Sequence, residues 1–364
     1  MHFYESSIIT TKDGLHCQVY GNEHPSQAIF VKPKYIPTEK VECNALPYRF
    51  ISGKKMNRLN LWINQEELKK YIADFRKAYP QYIYKSPYHD HDRLFFAIPI
   101  DHIERIYYPR RGLKELMEMP ETMLDKHLKT VYHFVQFLLK SGLKISDLGI
   151  TYSTLMGHYF NDISDINIVI YGKEKFWKLH EFLMTAKHPS LQWKTDKQWM
   201  EFYNKRNRFA IFPKEEFLQS MKRKKTEGYF EKTLFVLFAT EKEEETWYTW
   251  GSEQYTSLGL ATVQGRVKEN HSSVVRPGCY TIDHTQIISS EKNLQVPVSK
   301  IVFYSRDYGM LAYPGEKIRA CGILEKVKPA RGSEYYRMVV GYFDAYLTER
   351  KEKEYITLVK EHAK

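Results

Sequence analysis

A hydroxyl, a carboxylate and an amide lie close together in the stretch between Gly149 and Gly172, which reads GITYSTLMGHYFNDISDINIVIYG. Ser153 follows a short apolar strand and begins a predicted helical turn, where a hydroxyl and the first helical amides can hold phosphate oxygens. Asp165 and Asn167 open the next strand. Alternate residues of a strand point to the same side, so these two side chains place oxygen ligands together at the strand mouth. The stretch therefore predicts a phosphate-binding site with a neighbouring metal position.

This stretch resembles the active site of the polymerase-beta nucleotidyltransferase superfamily, in which a Gly-Ser pair is followed about a dozen residues later by Asp-x-Asp. Along its length the chain also resembles archaeal proteins that carry such a domain. The resemblance implies transfer of a nucleotidyl group from a nucleoside triphosphate to an acceptor, with two Mg²⁺ ions holding the reacting oxygens. It assigns Tyr152 and Ser153 to nucleotide binding, Asp165 to metal binding and catalysis, and Asn167 to the second catalytic position.

Two positions depart from the pattern of this superfamily. Tyr152 stands where glycine would allow close approach of the backbone to the phosphates, and Asn167 lacks the negative charge that hard cations favour. The strand expected to supply a third carboxylate, residues 233–239, carries no acid, and Asp162 is a candidate substitute in the loop. We therefore expect impaired catalysis. The alternative is an active magnesium-dependent transferase in which Asp165, with the help of Asp162, holds one metal ion.

The charge of the chain favours an acidic partner. Lys and Arg number 55 against 44 Asp and Glu, a net charge of +11, and nucleic acid is the commonest partner of such proteins. A basic segment with interleaved aromatic residues predicts contacts to RNA or DNA, or to a nucleoside triphosphate. The alternative is a solvated helix face whose apolar stripe packs on the core. The predicted nucleic-acid-binding residues are Lys205, Arg206, Arg208, Lys222, Arg223, Lys224 and Lys225, and the interleaved aromatic residues are Phe202, Tyr203, Phe209 and Phe212.

Other features of the sequence limit the class of protein. No apolar run reaches the length of a membrane span, and the N-terminus lacks the layout of a secretory signal, so we expect a cytoplasmic protein without a membrane partner. The 4 cysteines are far apart, which favours buried thiols over zinc ligands or disulfides. The run from His89 to Asp92 could bring two histidines together on a strand as metal ligands, and a polar turn is the alternative. Mg²⁺ is expected only if the transferase is active.

Three units are predicted to position these motifs, in a multi-domain fold of α/β and α+β class. Residues 1–118 form an N-terminal α+β domain with strands near 7–11, 16–20, 28–34 and 93–98 and a short helix near 101–107. Its main helix opens with a capping box at Asn64 and stops at Pro80.

The other two units carry the motif and a β-rich tail. Residues 119–245 form a central mixed-sheet domain of nucleotidyltransferase-like type, with a helix that follows Pro120 and ends at Ser141-Gly142, the motif strands and a helix over 174–185. Residues 255–350 contain five predicted strands separated by Gly-, Pro- and Ser-containing turns. These strands predict a small β-barrel-like domain of the kind that binds oligonucleotides, and a packing domain is the alternative.

Overall fold

The computed structural model describes residues 2–43, 48–59, 64–90, 93–205 and 213–359. It is a mixed α/β structure whose three sheets follow one another along the chain. Within the described ranges, none of the helices combines the length and the apolar composition needed to cross a membrane.

The first sheet contains eight strands, and all of its pairings are antiparallel. Its strands are β1 (Ile8–Thr11), β2 (His16–Val19), β3 (Ala28–Pro37), β4 (Tyr48–Ile51), β5 (Lys54–Arg58), β6 (Ile83–Tyr84), β7 (Phe95–Pro99) and β8 (Ile103–Tyr107). The order is β4-β5-β3-β2-β1-β8, and β7 pairs with both β3 and β6. The long strand β3 is thus the centre of this sheet.

A helix covers this sheet where the sequence predicts one. The helix α1 (Gln65–Ala78) begins after Asn64, whose side chain accepts a hydrogen bond from the Glu67 amide at 2.9 Å. Leu68 and Phe75 are among the residues that it buries against the sheet. The cap fixes the residue at which the helix begins, and the apolar stripe fixes the face that it buries.

The predicted short helix at 101–107 is wrong. Residues Ile100–His102 form a single 3-10 turn, and the rest is strand β8, which pairs with β1 so that Ile9 lies opposite Ile106. The free edge of β1 supplies hydrogen-bond partners that local sequence does not reveal. The helix lies further on, at α2 (Pro109–Glu118), where proline occupies the first turn.

The second sheet carries the sequence motif. Its strands are β9 (Leu148–Ile150), β10 (Ile166–Tyr171), β11 (Leu191–Trp193), β12 (Glu227–Phe230) and β13 (Thr233–Thr240), in the order β11-β12-β13-β10-β9. β10 and β13 run parallel, and the other pairings are antiparallel. The helices of this part are α3 (Lys126–Leu139), α4 (Tyr152–Met156), α5 (Lys173–Thr185), α6 (Asp196–Lys205) and α7 (Lys214–Lys224).

The two faces of β10 meet different parts of the molecule. Ile168 and Ile170 lie in the core formed with α2, α3 and α5. Val169 and Tyr171 point to the opposite face, where they pack near Tyr4 of the N-terminal segment. Since side chains alternate along a strand, Asn167 shares this second face. The motif therefore faces away from the core that Ile168 and Ile170 share with these helices.

The third sheet curls back on itself. Its strands are β14 (Glu253–Glu269), β15 (Gly278–Ser290), β16 (Val298–Phe303), β17 (Lys317–Pro329), β18 (Tyr335–Val340) and β19 (Tyr355–Leu358). The order is β14-β15-β16-β18-β17-β19, β16 and β18 are parallel, and β14 also pairs with β17. The five predicted strands are confirmed, and β19 adds a sixth. The helices α6 and α7 pack against this sheet through Trp199 and Phe217.

Candidate functional site

The turn between β9 and α4 is held firmly at both sides. The Thr151 amide donates to the Asn167 carbonyl at 3.1 Å, and the Thr151 hydroxyl donates to the Ser6 carbonyl at 2.6 Å. On the other side of β9, Gly149 lies against α2, where an added Cβ would come within 2.7 Å of the Pro109 side chain. The position of the predicted phosphate-binding turn is thus set by α2, β10 and the N-terminal segment together.

Tyr152 has the backbone conformation that glycine favours. Its φ is +58°, in the left-handed region, although it is neither glycine nor asparagine. Its ring packs edge-to-face on Phe238 at 5.7 Å between centroids, and the Lys34 ammonium lies 3.2 Å from the ring centroid. The turn thus has a left-handed residue at Tyr152, and its ring covers part of the space beside the turn.

Asp165 and Asn167 lie where the sequence predicts, at the opening of β10. Asp165 is half-buried and immediately precedes the strand, whereas Asn167 is 4% exposed. In the parallel register, Asn167 lies beside Val236 of β13. Residues 233–239 of that strand, where the sequence analysis looks for a third carboxylate, contain no acid.

The motif opens into a cavity of about 530 Å³ where the three sheets meet. Tyr152, Ser153, Asp165 and Asn167 line it, so the structure brings the predicted nucleotide-binding and catalytic positions together. This volume is in the range of small-molecule sites, which usually lie between units and bury most of the ligand. The remaining walls come from the first sheet and from the third.

The wall contributed by the third sheet carries two arginines, Arg276 and Arg306. Arg276 and Arg306 both bind Glu5, which is fully buried, with N–O distances of 3.1 and 2.9 Å. Arg306 also lies 3.9 Å from the centroid of the Phe238 ring. Glu5 and Asp307, which also lines the cavity here, match these two guanidinium groups in number, so the excess of positive charge in the cavity comes from its other cations.

The first sheet contributes two further cations, Lys34 from β3 and Arg58 at the end of β5. Lys34 is half-buried and Arg58 is exposed. Burial, together with the charge of Arg58, lowers the pKa of Lys34 well below its usual range, and Asp165 acts in the opposite direction. An anion in the cavity would reverse part of this shift by favouring the charged ammonium.

The donor atoms of this site do not fit a pair of magnesium ions. Asp165 is the single carboxylate of the motif, and Asn167 provides a neutral oxygen. Among the residues that the structure describes, no group of three or more His, Cys, Asp and Glu could hold a metal ion. Asp162, the candidate substitute, is exposed and forms an ion pair with Lys126 on the surface loop. Mg²⁺ prefers octahedral oxygen coordination supported by carboxylates, which this set does not offer.

The described residues of the predicted basic segment do not all lie on the surface. Lys205 ends α6 and Lys222 lies on α7, where its ammonium pairs with Asp196 at 2.8 Å. Arg206 and Arg208, with Phe209 and Phe212, lie outside the described residues. The exposed part of the segment is thus made by Lys205 and Lys222 among the described positions.

The other basic residues of α7 are part of the fold. Arg223 pairs with Glu316 of the third sheet at 3.0 Å. Lys224 is 4% exposed, donates to the Asp307 carbonyl and lines the cavity. Lys225 lies 4.7 Å from the centroid of the Trp193 ring, and burial lowers its pKa.

The interleaved aromatic residues that the structure describes serve packing. Phe202 and Tyr203 contact Phe217 and lie against the core of the third sheet. They are therefore not free surfaces for stacking bases. The alternative reading of this segment, a helix with its apolar stripe on the core, describes α6 and α7 better.

The His-Asp run is used in part for docking one unit onto another. His89 lies on the Tyr255 ring, with 4.7 Å between ring centroids, and the Asp90 carboxylate accepts from the Ser257 amide at 3.0 Å. His91 and Asp92 lie outside the described residues. The described half of the run thus forms a polar turn against β14.

Sequence reasoning missed Lys34, Arg58, Arg276 and Arg306. Each lies on a strand or loop remote in sequence from the motif, and no spacing pattern links them to it. The one available signal was the net charge of +11, which indicated an acidic partner without locating its site. Only the packing of three sheets brings these cations to the cavity.

Comparison with known proteins gives a relative over nearly the whole chain. The sequence is 29% identical over 340 residues to an uncharacterized protein of Methanocaldococcus jannaschii, and the alignment covers 92% of this chain and 94% of that protein. No family model matches the sequence, and no solved structure matches it. The similarity spans the parts of the chain that form all three sheets, so the two proteins are similar as whole chains and not through one motif.

Proposed function

We propose that this chain is a nucleotidyltransferase-like protein that binds a nucleoside triphosphate in the cavity between the three sheets and is impaired in catalysis. The observation that carries the proposal is that the motif and several cationic side chains line the same cavity. The turn bearing Ser153 and the strand opening at Asp165 face one cavity, and the walls of that cavity are cationic. Cationic side chains and the first amides of a helix are the groups that proteins use to hold phosphates.

The strand pattern supports the class of fold in this proposal. β9 leads into α4, β10 follows, and β10 pairs with a later parallel strand, β13. This is the strand–helix–strand arrangement that the resemblance implies. The left-handed backbone at Tyr152 also supports it, because the superfamily places glycine at that point of the turn.

The residues that replace the expected ones argue for impaired catalysis. Transfer of a nucleotidyl group needs charge stabilisation on both the attacking and the leaving oxygen, which two metal ions normally supply. Asn167 stands where the resemblance expects a carboxylate to hold them, and residues 233–239 contain no acid. The site thus retains groups for binding phosphates and lacks groups for moving them.

Calorimetric titration of the full chain with ATP, GTP, CTP and UTP tests the binding proposal. We expect at least one of them to bind, and Ser153→Ala to weaken that binding about fivefold through loss of a hydrogen bond to an anionic oxygen. Thr185→Ala, at the exposed end of α5, is the control and should bind as the wild type does. Failure of all four nucleotides to bind would refute the proposal.

An incorporation assay tests catalysis. Labelled nucleoside triphosphates, with Mg²⁺ or Mn²⁺ and with RNA, DNA and protein acceptors, should give no incorporation. Incorporation that disappears in Asp165→Ala would establish the alternative, an active transferase.

A second candidate function is binding of single-stranded nucleic acid by the third sheet. Its five principal strands have the order β14-β15-β16-β18-β17 and close through β14, which resembles the Greek-key barrels that bind oligonucleotides. The net charge of +11 agrees with such a partner. Binding to single-stranded RNA or DNA should weaken as salt rises, and more gently in Lys328→Gln, at an exposed position of β17. This second candidate function is refuted if neither single-stranded RNA nor single-stranded DNA binds at low salt.

The cytoplasmic location predicted from the sequence belongs to the same proposal, because nucleoside triphosphates are available there. Fractionation of cells that produce the tagged chain tests it, and recovery of the chain in the membrane fraction would contradict it.

A further inference from the structure

The inference concerns the wall of the cavity that the first sheet forms. There β3 brings an ammonium group, that of Lys34, to the mouth of the motif strand. This group comes from a different sheet and lies on the face of β10 that carries Asn167. A cation is thus built into the protein near the place where the superfamily pattern would require divalent ions.

The ammonium of Lys34 has unused hydrogen-bonding capacity. It lies 3.2 Å from the Tyr152 ring centroid, and within the described part of the chain it has no hydrogen-bond or ion-pair partner. A lysine carries three donors, and an aromatic face satisfies none of them fully. The ring instead fixes the position of the ammonium while leaving its protons for an oxygen-rich ligand.

Other charges near Lys34 favour an anion and disfavour a second cation. Arg58 lines the same cavity from β5, and Arg306 lines it from the segment after β16. Repulsion from these groups contributes to the lowered pKa of Lys34, and Asp165 is the one carboxylate that raises it. A divalent ion placed at Asp165 would meet the same repulsion, whereas a triphosphate would relieve it.

We propose that Lys34 takes the place of the metal ions in this protein, so that the cavity binds the triphosphate group of its ligand without Mg²⁺. This inference rests on the proposed function, since it concerns the same cavity, and it names how the ligand is held. Arg58 and Arg306 assist as further cations, and Tyr152 positions the ammonium. The protein would thus bind free nucleoside triphosphate, in contrast to enzymes that bind its magnesium complex.

Nucleotide titrations of the full chain in EDTA and in excess Mg²⁺ test this directly. We expect binding in EDTA to be as tight as in Mg²⁺ or tighter, because Mg²⁺ in solution neutralises part of the charge of the triphosphate. Inorganic tripolyphosphate should compete if the triphosphate group dominates recognition. Failure of tripolyphosphate to compete would contradict a role of Lys34 in holding the phosphates.

Variants of Lys34 separate charge from packing. Lys34→Met should weaken binding about tenfold or more, and Lys34→Arg should retain most of it. Lys40→Met is a matched control, because the Lys40 ammonium also lies over a tyrosine ring, 5.2 Å from the centroid of Tyr79, on an exposed part of the same unit outside the cavity. It should bind nucleotide as the wild type does.

The outcomes distinguish the two proposals. Binding that appears in Mg²⁺ and is abolished in EDTA would overturn the inference and leave the proposed function standing. Absence of binding in both conditions would overturn the proposed function and the inference with it. If Lys34→Met does not fold, the EDTA comparison on the wild type and the Lys34→Arg titration decide the matter.

Discussion

At the scale of single residues, Tyr152 adopts a backbone conformation that usually belongs to glycine. Its φ of +58° costs a residue with a Cβ about 1 kcal/mol or more, and glycine avoids this cost. Contacts of the ring with Phe238 and the Lys34 ammonium offset the strain. The left-handed turn is therefore maintained by side-chain packing.

The strain predicts an unusual order of stability between two variants. Both Tyr152→Gly and Tyr152→Ala lose the ring contacts, and only alanine retains the strain. We expect the glycine variant to be more stable by about 1 kcal/mol, measured by denaturant unfolding. At Met156, which ends the same helix with an ordinary φ, alanine should be more stable than glycine by about 1 kcal/mol. The same order at both positions would contradict the strained turn.

Asn167 permits a test of the proposal that the motif does not hold divalent ions. Asn167→Asp places a second carboxylate at a position that is 4% exposed, beside Asp165. We expect it to lower the free energy of unfolding by about 2–3 kcal/mol in EDTA, since burial removes the hydration of the new carboxylate and Asp165 repels it. Mg²⁺ or Mn²⁺ should then restore part of this stability, as seen in thermal melting.

The wild type should show no such response to divalent ions. Asn161→Asp, at an exposed position of the preceding loop, is the matched control and should also be insensitive to them. An equal rise in melting temperature in the wild type would show that Asp165 and Asn167 already hold a metal ion.

At the scale of elements, the sequence predicted correctly those helices and strands that neighbouring residues stabilise. The helix α1 was predictable because Asn64 caps it and its apolar residues recur on one face. The strand β8 was not, because its partner β1 is distant in sequence and supplies the hydrogen bonds that decide the form of residues 103–107. The candidate site likewise contains residues that the sequence could predict and residues that it could not. Ser153 and Asp165 belong to one local motif, while Lys34 reaches them only through tertiary packing.

The basic residues of helix α7 divide into a buried position, Lys224, and an exposed one, Lys222. Lys224→Met should reduce the free energy of unfolding by about 1–3 kcal/mol, because the Asp307 carbonyl loses the donor that the buried Lys224 provides. Lys222→Met should change it by no more than about 0.5 kcal/mol, since the Lys222 and Asp196 side chains are 53% and 59% exposed. Urea unfolding measures both. Equal losses would contradict the division of the run into surface and core positions.

At the scale of the whole molecule, the cavity exists only where the three sheets are docked. The contact between the first and third sheets includes a buried charge network. Arg93 is 4% exposed and binds Asp344 at 3.1 Å and Glu325 at 3.5 Å, while Arg337 binds Glu325 at 2.8 Å. Such a network fixes the relative position of the units and thereby the distance between Lys34 and the motif.

Removing Arg93 should therefore be costly. Arg93→Met leaves Glu325 and Asp344 without one of their cations, and we expect a loss of about 3–5 kcal/mol in the free energy of unfolding. Arg111→Met is the control, because Arg111 and Glu115 are 77% and 62% exposed, and it should cost less than about 1 kcal/mol. A loss no larger for Arg93 than for Arg111 would show that the sheets dock without this network.

The most direct test of the central claim is a crystal structure of the protein grown with ATP and Mn²⁺, with anomalous scattering used to locate the metal. We predict triphosphate oxygens within hydrogen-bond distance of the Lys34 ammonium and no manganese peak at Asp165. Two manganese peaks bridging Asp165, Asn167 and the triphosphate would contradict the claim that lysine replaces the metal ions.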